Sequence, residues 1–165
     1  MKADWSNPYL REIVLDWFTM SQDEKQWPNI FNRFIFLWIS FDAWASNESG
    51  KMEHAMIDWV KTDSNMPEIF KQNFKAIEQT VVSLKSMGEI PNHANAAKSR
   101  KVNDVNSFSD TIEAVYLIRN NLFHGHKSPD DEKDRKYVSL AHSIVSSLMK
   151  PVVEELRNPN QVVSP

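Results

Sequence analysis

The sequence predicts an all-α fold, an antiparallel bundle of five to six helices. Apolar residues recur at spacings of three and four over long segments, the period of a helix face rather than a strand. Glycine is scarce, at three in 165 residues, and no long segment alternates apolar with polar. A 41% hydrophobic composition with six Trp and nine Phe supplies a core for one domain of this length.

The first helix is placed at residues 8–20, where Tyr9, Leu10, Ile13, Val14 and Trp17 share a face and Pro8 suits a first turn. The second, at residues 27–46, carries Phe31, Phe34, Ile35, Trp38, Phe41 and Ala45, with Pro28 near its start and residues 47–50 ending it. Its aromatic stripe, Phe31–Phe34–Trp38–Phe41, is expected in the core and not as a base-stacking platform. Residues 51–61 form a shorter amphipathic helix through Met52, Ala55, Met56, Trp59 and Val60. A fourth spans 67–87, with Ile69, Phe70, Phe74, Ile77, Val81 and Leu84 inward and Gly88 closing it. Residues 89–107, with Pro91 and four Asn, are expected as a long loop or loosely helical insertion. Ser109 is the expected cap of a helix over 110–124. A last helix spans 129–156, opening on Asp130, Asp131 and Glu132 as the helix dipole prefers, with Pro151 expected to kink or end it. Residues 1–156 are thus one helical domain and 157–165 a frayed tail.

Zero Cys excludes disulfides, thiolate metal sites and a Cys nucleophile, and fits a reducing compartment. The N-terminus has no apolar signal region and no stretch approaches the length of a membrane span, so a cytoplasmic protein without membrane contact is expected. With 19 basic against 22 acidic residues, a net charge of −3 gives no global pull toward nucleic acid. Any such contact must come from a local patch, and Lys98, Arg100 and Lys101 are the best candidate for steering phosphate.

The polar residues of the fifth helix stand out. Ile112, Val115, Tyr116, Leu117, Ile118, Leu122 and Phe123 leave little polar surface, yet Arg119 falls on the stripe Ile112–Val115–Tyr116–Phe123. A guanidinium there must be paired, or line a cleft or interface, because an unpaired buried charge is costly. His124 follows at the helix end, before Gly125, a residue type that commonly takes the left-handed closing position. Residues five apart lie about 140° apart around a helix, so Arg119 and His124 converge only if the helix ends near His124 or a dimer brings two copies together. Asp42, on the Phe31–Ile35–Trp38 stripe, is the expected partner of Arg119 or His124 across the helix interface.

Arg119, four intervening residues beginning with Asn120, and then His124 resemble the signature of the HEPN superfamily (higher eukaryote and prokaryote nucleotide-binding domains). The aromatic helix around residues 31–44, Gly125 after the histidine and the long final helix extend the resemblance over roughly residues 25–156. It implies a bundle that homodimerises, with paired Arg/His motifs facing a cleft, and metal-independent endoribonuclease activity in a toxin or phage-defence effector. Such chemistry needs no metal or cofactor, because RNA carries its own 2′-OH nucleophile. His124 moves the proton, Arg119 holds the phosphate, Asn120 holds the phosphate or orients His124, and the products end in 2′,3′-cyclic phosphate and 5′-OH. The implied partners are RNA and an antitoxin or regulatory protein. His126 stands where some members carry a tyrosine modified by a nucleotidyltransferase antitoxin, which argues against that type of partner; it is expected as a plain loop residue or as an auxiliary RNA contact.

Two other readings stay open. A non-catalytic dimerisation or binding module, recognising a nucleotide, RNA or protein, keeps the same fold. A metal-dependent hydrolase would use His124 and His126, with little ligand support around them. His54, His93 and His142 are expected at the surface or core edge without a chemical role.

Overall fold

Asparagine side chains set where the first two helices begin in the computed structural model, which describes residues 3–158. Asn7 Oδ1 accepts from the Tyr9 amide at 3.0 Å, and α1 runs Pro8–Gln22. Asn29 Oδ1 accepts from the Phe31 amide at 2.9 Å, so α2 spans Ile30–Ser49 and Pro28 lies ahead of it rather than inside it. Then follow α3 (Glu53–Thr62), α4 (Met66–Ser86), a 3-10 turn at Ala96–Lys98, α5 (Phe108–Phe123) and α6 (Glu132–Arg157). The fold is an all-α helical bundle, and no described helix is long and apolar enough to cross a membrane.

Three local expectations need correction. Ser107, not Ser109, caps α5: its hydroxyl accepts from the Asp110 amide at 3.1 Å, which leaves Ser109 inside the first turn. Pro151 does not end α6, which continues to Arg157. A proline inside a helix costs about 3 kcal/mol, but Val152, Val153 and Leu156 beyond it are all buried. Burial at roughly 1.5–3 kcal/mol per side chain outweighs the break. Arg157, expected in a frayed tail at 157–165, is helical and Asn158 follows as its cap; residues 159–165 lie outside the described part.

The long α6 packs against α1, α2, α4 and α5. Its inward face, Tyr137, Val138, Ala141, Ile144, Val145, Leu148 and Met149, meets Phe31, Phe34, Leu37, Trp38 and Phe41 in one apolar core. The aromatic stripe of α2 is therefore core, as its period requires.

Residues 89–107 are a pinned loop. Ile90 and Arg100 exchange backbone hydrogen bonds of 2.7 and 3.1 Å, while Ile90 and Val102 are buried in the core. Asn121 of α5, itself buried, donates to the Pro91 carbonyl at 2.8 Å. Lys85 adds a bond to the Asn103 carbonyl at 2.7 Å, and Asp110 accepts from the Asn103 and Asp104 amides at 2.9 and 3.2 Å. These backbone donors outweigh the opposing effect of burial and hold the Asp110 carboxyl below the usual carboxylate range. The basic loop is thereby fixed against α5.

Candidate functional site

Helix α5 runs from the core to the surface, and its stripe changes character along the way. Ile112 and Val115 are buried, Tyr116 and Arg119 half-buried, and Phe123 is 46% exposed. Arg119 lines a cleft of about 460 Å³ between α5, α2 and the α2–α3 turn, with Trp38, Asp42, Lys51, Met56 and Tyr116 among its walls. The guanidinium Nη1 donates to Asn120 Oδ1 at 2.9 Å. Its Cζ lies 4.4 Å from the Phe123 ring centre and 5.6 Å from that of Trp38. Nε is buried without a protein partner. Among the described residues no carboxylate sits at ion-pair distance from Arg119.

The expected Asp42 pairing is therefore corrected. Asp42 shares the cleft with Arg119 but makes an ion pair with neither Arg119 nor His124 among the described residues. Stacking on Phe123 and the bond to Asn120 hold the guanidinium along its own helix instead. Burial raises the Asp42 carboxyl above its ordinary range, and the nearby Arg119 charge offsets only part of that.

The end of α5 is a complete Schellman turn. Gly125 takes φ +73°, its amide donates to the Leu122 carbonyl at 3.1 Å, and the His126 amide donates to the Asn121 carbonyl at 2.8 Å. His124 is the C-cap, exposed beside the exposed Phe123. Because α5 stays helical through Phe123, the motif residues keep their angular separation within one chain, and Arg119 and His124 share no hydrogen bond. His126 is also exposed, and its ring lies 4.9 Å from that of His93. The structure thus brings Arg119 and Asn120 into contact and Asp42 into the Arg119 cleft, and leaves His124 and His126 on the surface.

Two further clefts lie in succession along α5. Lys98 and Arg100 line one of about 360 Å³ with His54, Glu113, Tyr116 and Asn120. Arg100 and Lys101 line another of about 700 Å³ with Glu89, Asn103, Asp110 and Glu113. Asp110, Glu113, Tyr116 and Asn120 follow spacings of three and four, so one face of α5 floors this groove. Tyr116 belongs to the cleft of Arg119 and to that of His54, and Arg100 and Glu113 join the other pair.

His54 is a residue the sequence reasoning set aside. Its Nδ1 lies 3.3 Å from Asp58 and its Nε2 3.4 Å from Glu113. Lys61 bridges the same two carboxylates, bonding Asp58 at 2.8 Å and Glu113 more tightly. That bond from Lys61, with the proximity of His54, lowers the Asp58 carboxyl. Burial alone would lower the Lys61 ammonium, but the two carboxylates outweigh it and raise it. The ligand atoms of His54, Asp58 and Glu113 lie within 4.8 Å of one another, a spacing a metal ion could use. Lys61 already supplies the positive charge there. The spacing of His54, Asp58 and Lys61 on α3 was visible in the sequence; Glu113, which closes the cluster from α5, was not. His142 is a core residue: it is buried and bonded to the Ser21 carbonyl at 3.0 Å, and burial lowers its basicity.

No protein-family model, curated protein or solved structure matches the chain.

Proposed function

We propose that this chain is a metal-independent endoribonuclease of the HEPN type, with Arg119 and His124 as its principal catalytic residues. The observation that supports this most is Arg119, a cation in a cleft that makes no ion pair with a carboxylate among the described residues. Of its five donor hydrogens, one is used among the described residues, on Asn120. A structural arginine would be expected to pair; this one is left to bind an anion from outside, and a phosphate suits its planar fork. In this account His124 takes the 2′-OH proton, the 2′ oxygen attacks phosphorus, and Arg119 with Asn120 carries the charge that builds on the phosphoryl oxygens. Lys98, Arg100 and Lys101, fixed along the same groove, steer the RNA backbone.

Arg119 and His124 point apart within one chain, so the proposal includes a homodimer in which one copy's His124 serves the other's Arg119. The exposed Phe123 and His124 supply the contact surface at the end of α5. Action as a cytoplasmic toxin or phage-defence effector, held in check by an antitoxin or regulatory protein, follows from the resemblance of the motif alone. Incubating defined RNAs with purified protein in EDTA, beside a folded His124→Ala variant, tests the activity. Cleavage lost in the variant is expected, whereas intact RNA across diverse substrates overturns it.

A second reading, a non-catalytic dimerisation or binding module, is favoured by the same separation of Arg119 from His124. It predicts RNA that is bound and left whole.

A further inference from the structure

The groove along α5 holds an imidazole, and it is not His124. His54 stands in the cleft with Lys98, Arg100 and Asn120, and among the described residues Asn120 is the one side chain hydrogen-bonded to Arg119. Tyr116 meets the His54 ring edge-on at 5.7 Å between centres and also lines the Arg119 cleft, so both sites share a wall. We propose that His54, braced between Glu113 and Asp58 in the cleft lined by Lys98, Arg100 and Asn120, is a second catalytic residue, the general acid that protonates the leaving 5′ oxygen of RNA. This inference rests on the ribonuclease reading above.

The arrangement has the parts an acid needs. Glu113 and Lys61 are mostly buried, at 15% and 16% side-chain exposure, whereas His54 is 53% exposed. A fixed support therefore carries an open tip. Each ring nitrogen faces a carboxylate, so the protonated ring can donate to both, and swinging from one of them frees an N–H for a substrate oxygen. The charged groups around it come from three elements: Asp58 and Lys61 on α3, Glu113 on α5, and Lys98 and Arg100 on the pinned loop. The two loop cations and the Asn120 amide are suited to receive a phosphodiester. Lys61 offsets one of the two carboxylate charges and occupies the space between them, which favours proton transfer over metal binding at this spot.

The step balances without a co-reactant. The 2′-OH loses its proton to the base, its oxygen bonds to phosphorus, and the P–O5′ bond breaks with its electron pair going to O5′. The His54 imidazolium gives that oxygen a proton, leaving a neutral ring, a 2′,3′-cyclic phosphate and a 5′-OH.

The test uses two RNAs of one sequence, one natural and one with a single bridging 5′ sulfur at the cleaved position. A thiolate departs without a proton, so the sulfur substrate does not need an acid. The full chain and its His54→Gln variant, both checked for folding by circular dichroism, are assayed on each in EDTA. The expected loss for the variant is roughly 100-fold or more on natural RNA, within the range for acid–base groups, and only a few-fold on the sulfur substrate. Glu113→Gln, which removes the brace, should give a smaller loss with the same recovery. Equal losses on both substrates, or no loss on natural RNA, overturn the role of His54 and leave the ribonuclease reading standing. A wild-type chain that cleaves neither substrate overturns that reading and this assignment together.

Discussion

Replacing Arg119 by Met separates a functional cation from a structural one. Methionine keeps an aliphatic stem against Phe123 and Trp38 while deleting the charge. Three terms change. Removing the buried, unpartnered Nε returns about 2 kcal/mol, mid-range for an unsatisfied donor. Losing the charged hydrogen bond to Asn120 costs about 2 kcal/mol. Losing the stacking on Phe123 at 4.4 Å and Trp38 at 5.6 Å costs about 1 kcal/mol. The net is a destabilisation of about 1 kcal/mol, or roughly 2–4 °C in Tm for a domain of this size. Had Arg119 been half of a buried ion pair, the loss would be about 3–5 kcal/mol and the drop roughly 6–20 °C. Thermal unfolding followed by circular dichroism measures the difference, with RNA cleavage measured beside it. Near-native stability with cleavage reduced at least roughly 100-fold is the expected pair of results. A Tm fall beyond about 8 °C with cleavage retained refutes the argument that Arg119 is held for an external anion.

Asp42→Asn is expected to raise Tm, because burial disfavours the ionised carboxyl more than Arg119 favours it. The sign is fixed by the raised carboxyl: ionising Asp42 costs the folded state more than the unfolded one, so the asparagine gain should be present at pH 7 and absent below the unfolded carboxyl value. A Tm unchanged or lowered at pH 7 would contradict this. His142 gives the opposite pH signature. Burial lowers its basicity from 6.5, so the unfolded chain binds the proton first as pH falls. Stability should therefore decline as pH drops below about 6.5 toward the lowered folded value, and Tm scans should show that slope flattened in His142→Gln.

The α2 stripe and the closing turn at Gly125 were legible from residue spacing, because each is fixed by contacts within a few residues of itself. The unusual position of Arg119 was legible for the same reason, since a cation on an apolar stripe needs an explanation whatever it packs against. Its surroundings were not. The sequence offered Asp42 as a partner, but whether an i, i+4 aromatic stack or a cross-helix carboxylate takes the guanidinium depends on helix rotation, which periodicity does not set. Pro151 does not end the helix because a local rule met several buried side chains beyond it. The His54 cluster was missed for a plainer reason: Lys61 and Glu113 are 52 residues apart and meet only when α3 and α5 pack. The loop at 89–107 is held in part by Asn121, whose side chain anchors the Pro91 carbonyl 30 residues away, a contact that residue spacing does not show.

The central claim is that the nucleophile belongs to the RNA and no metal takes part. The most direct measurement maps a cleaved bond in EDTA, then repeats the assay with one 2′-deoxy nucleotide placed immediately 5′ of that bond. Cleavage should vanish at the substituted position, persist at other sites, and leave 2′,3′-cyclic phosphate ends wherever it occurs. Cleavage that continues past the 2′-deoxy nucleotide, or that appears only when divalent metal is restored, would contradict the account.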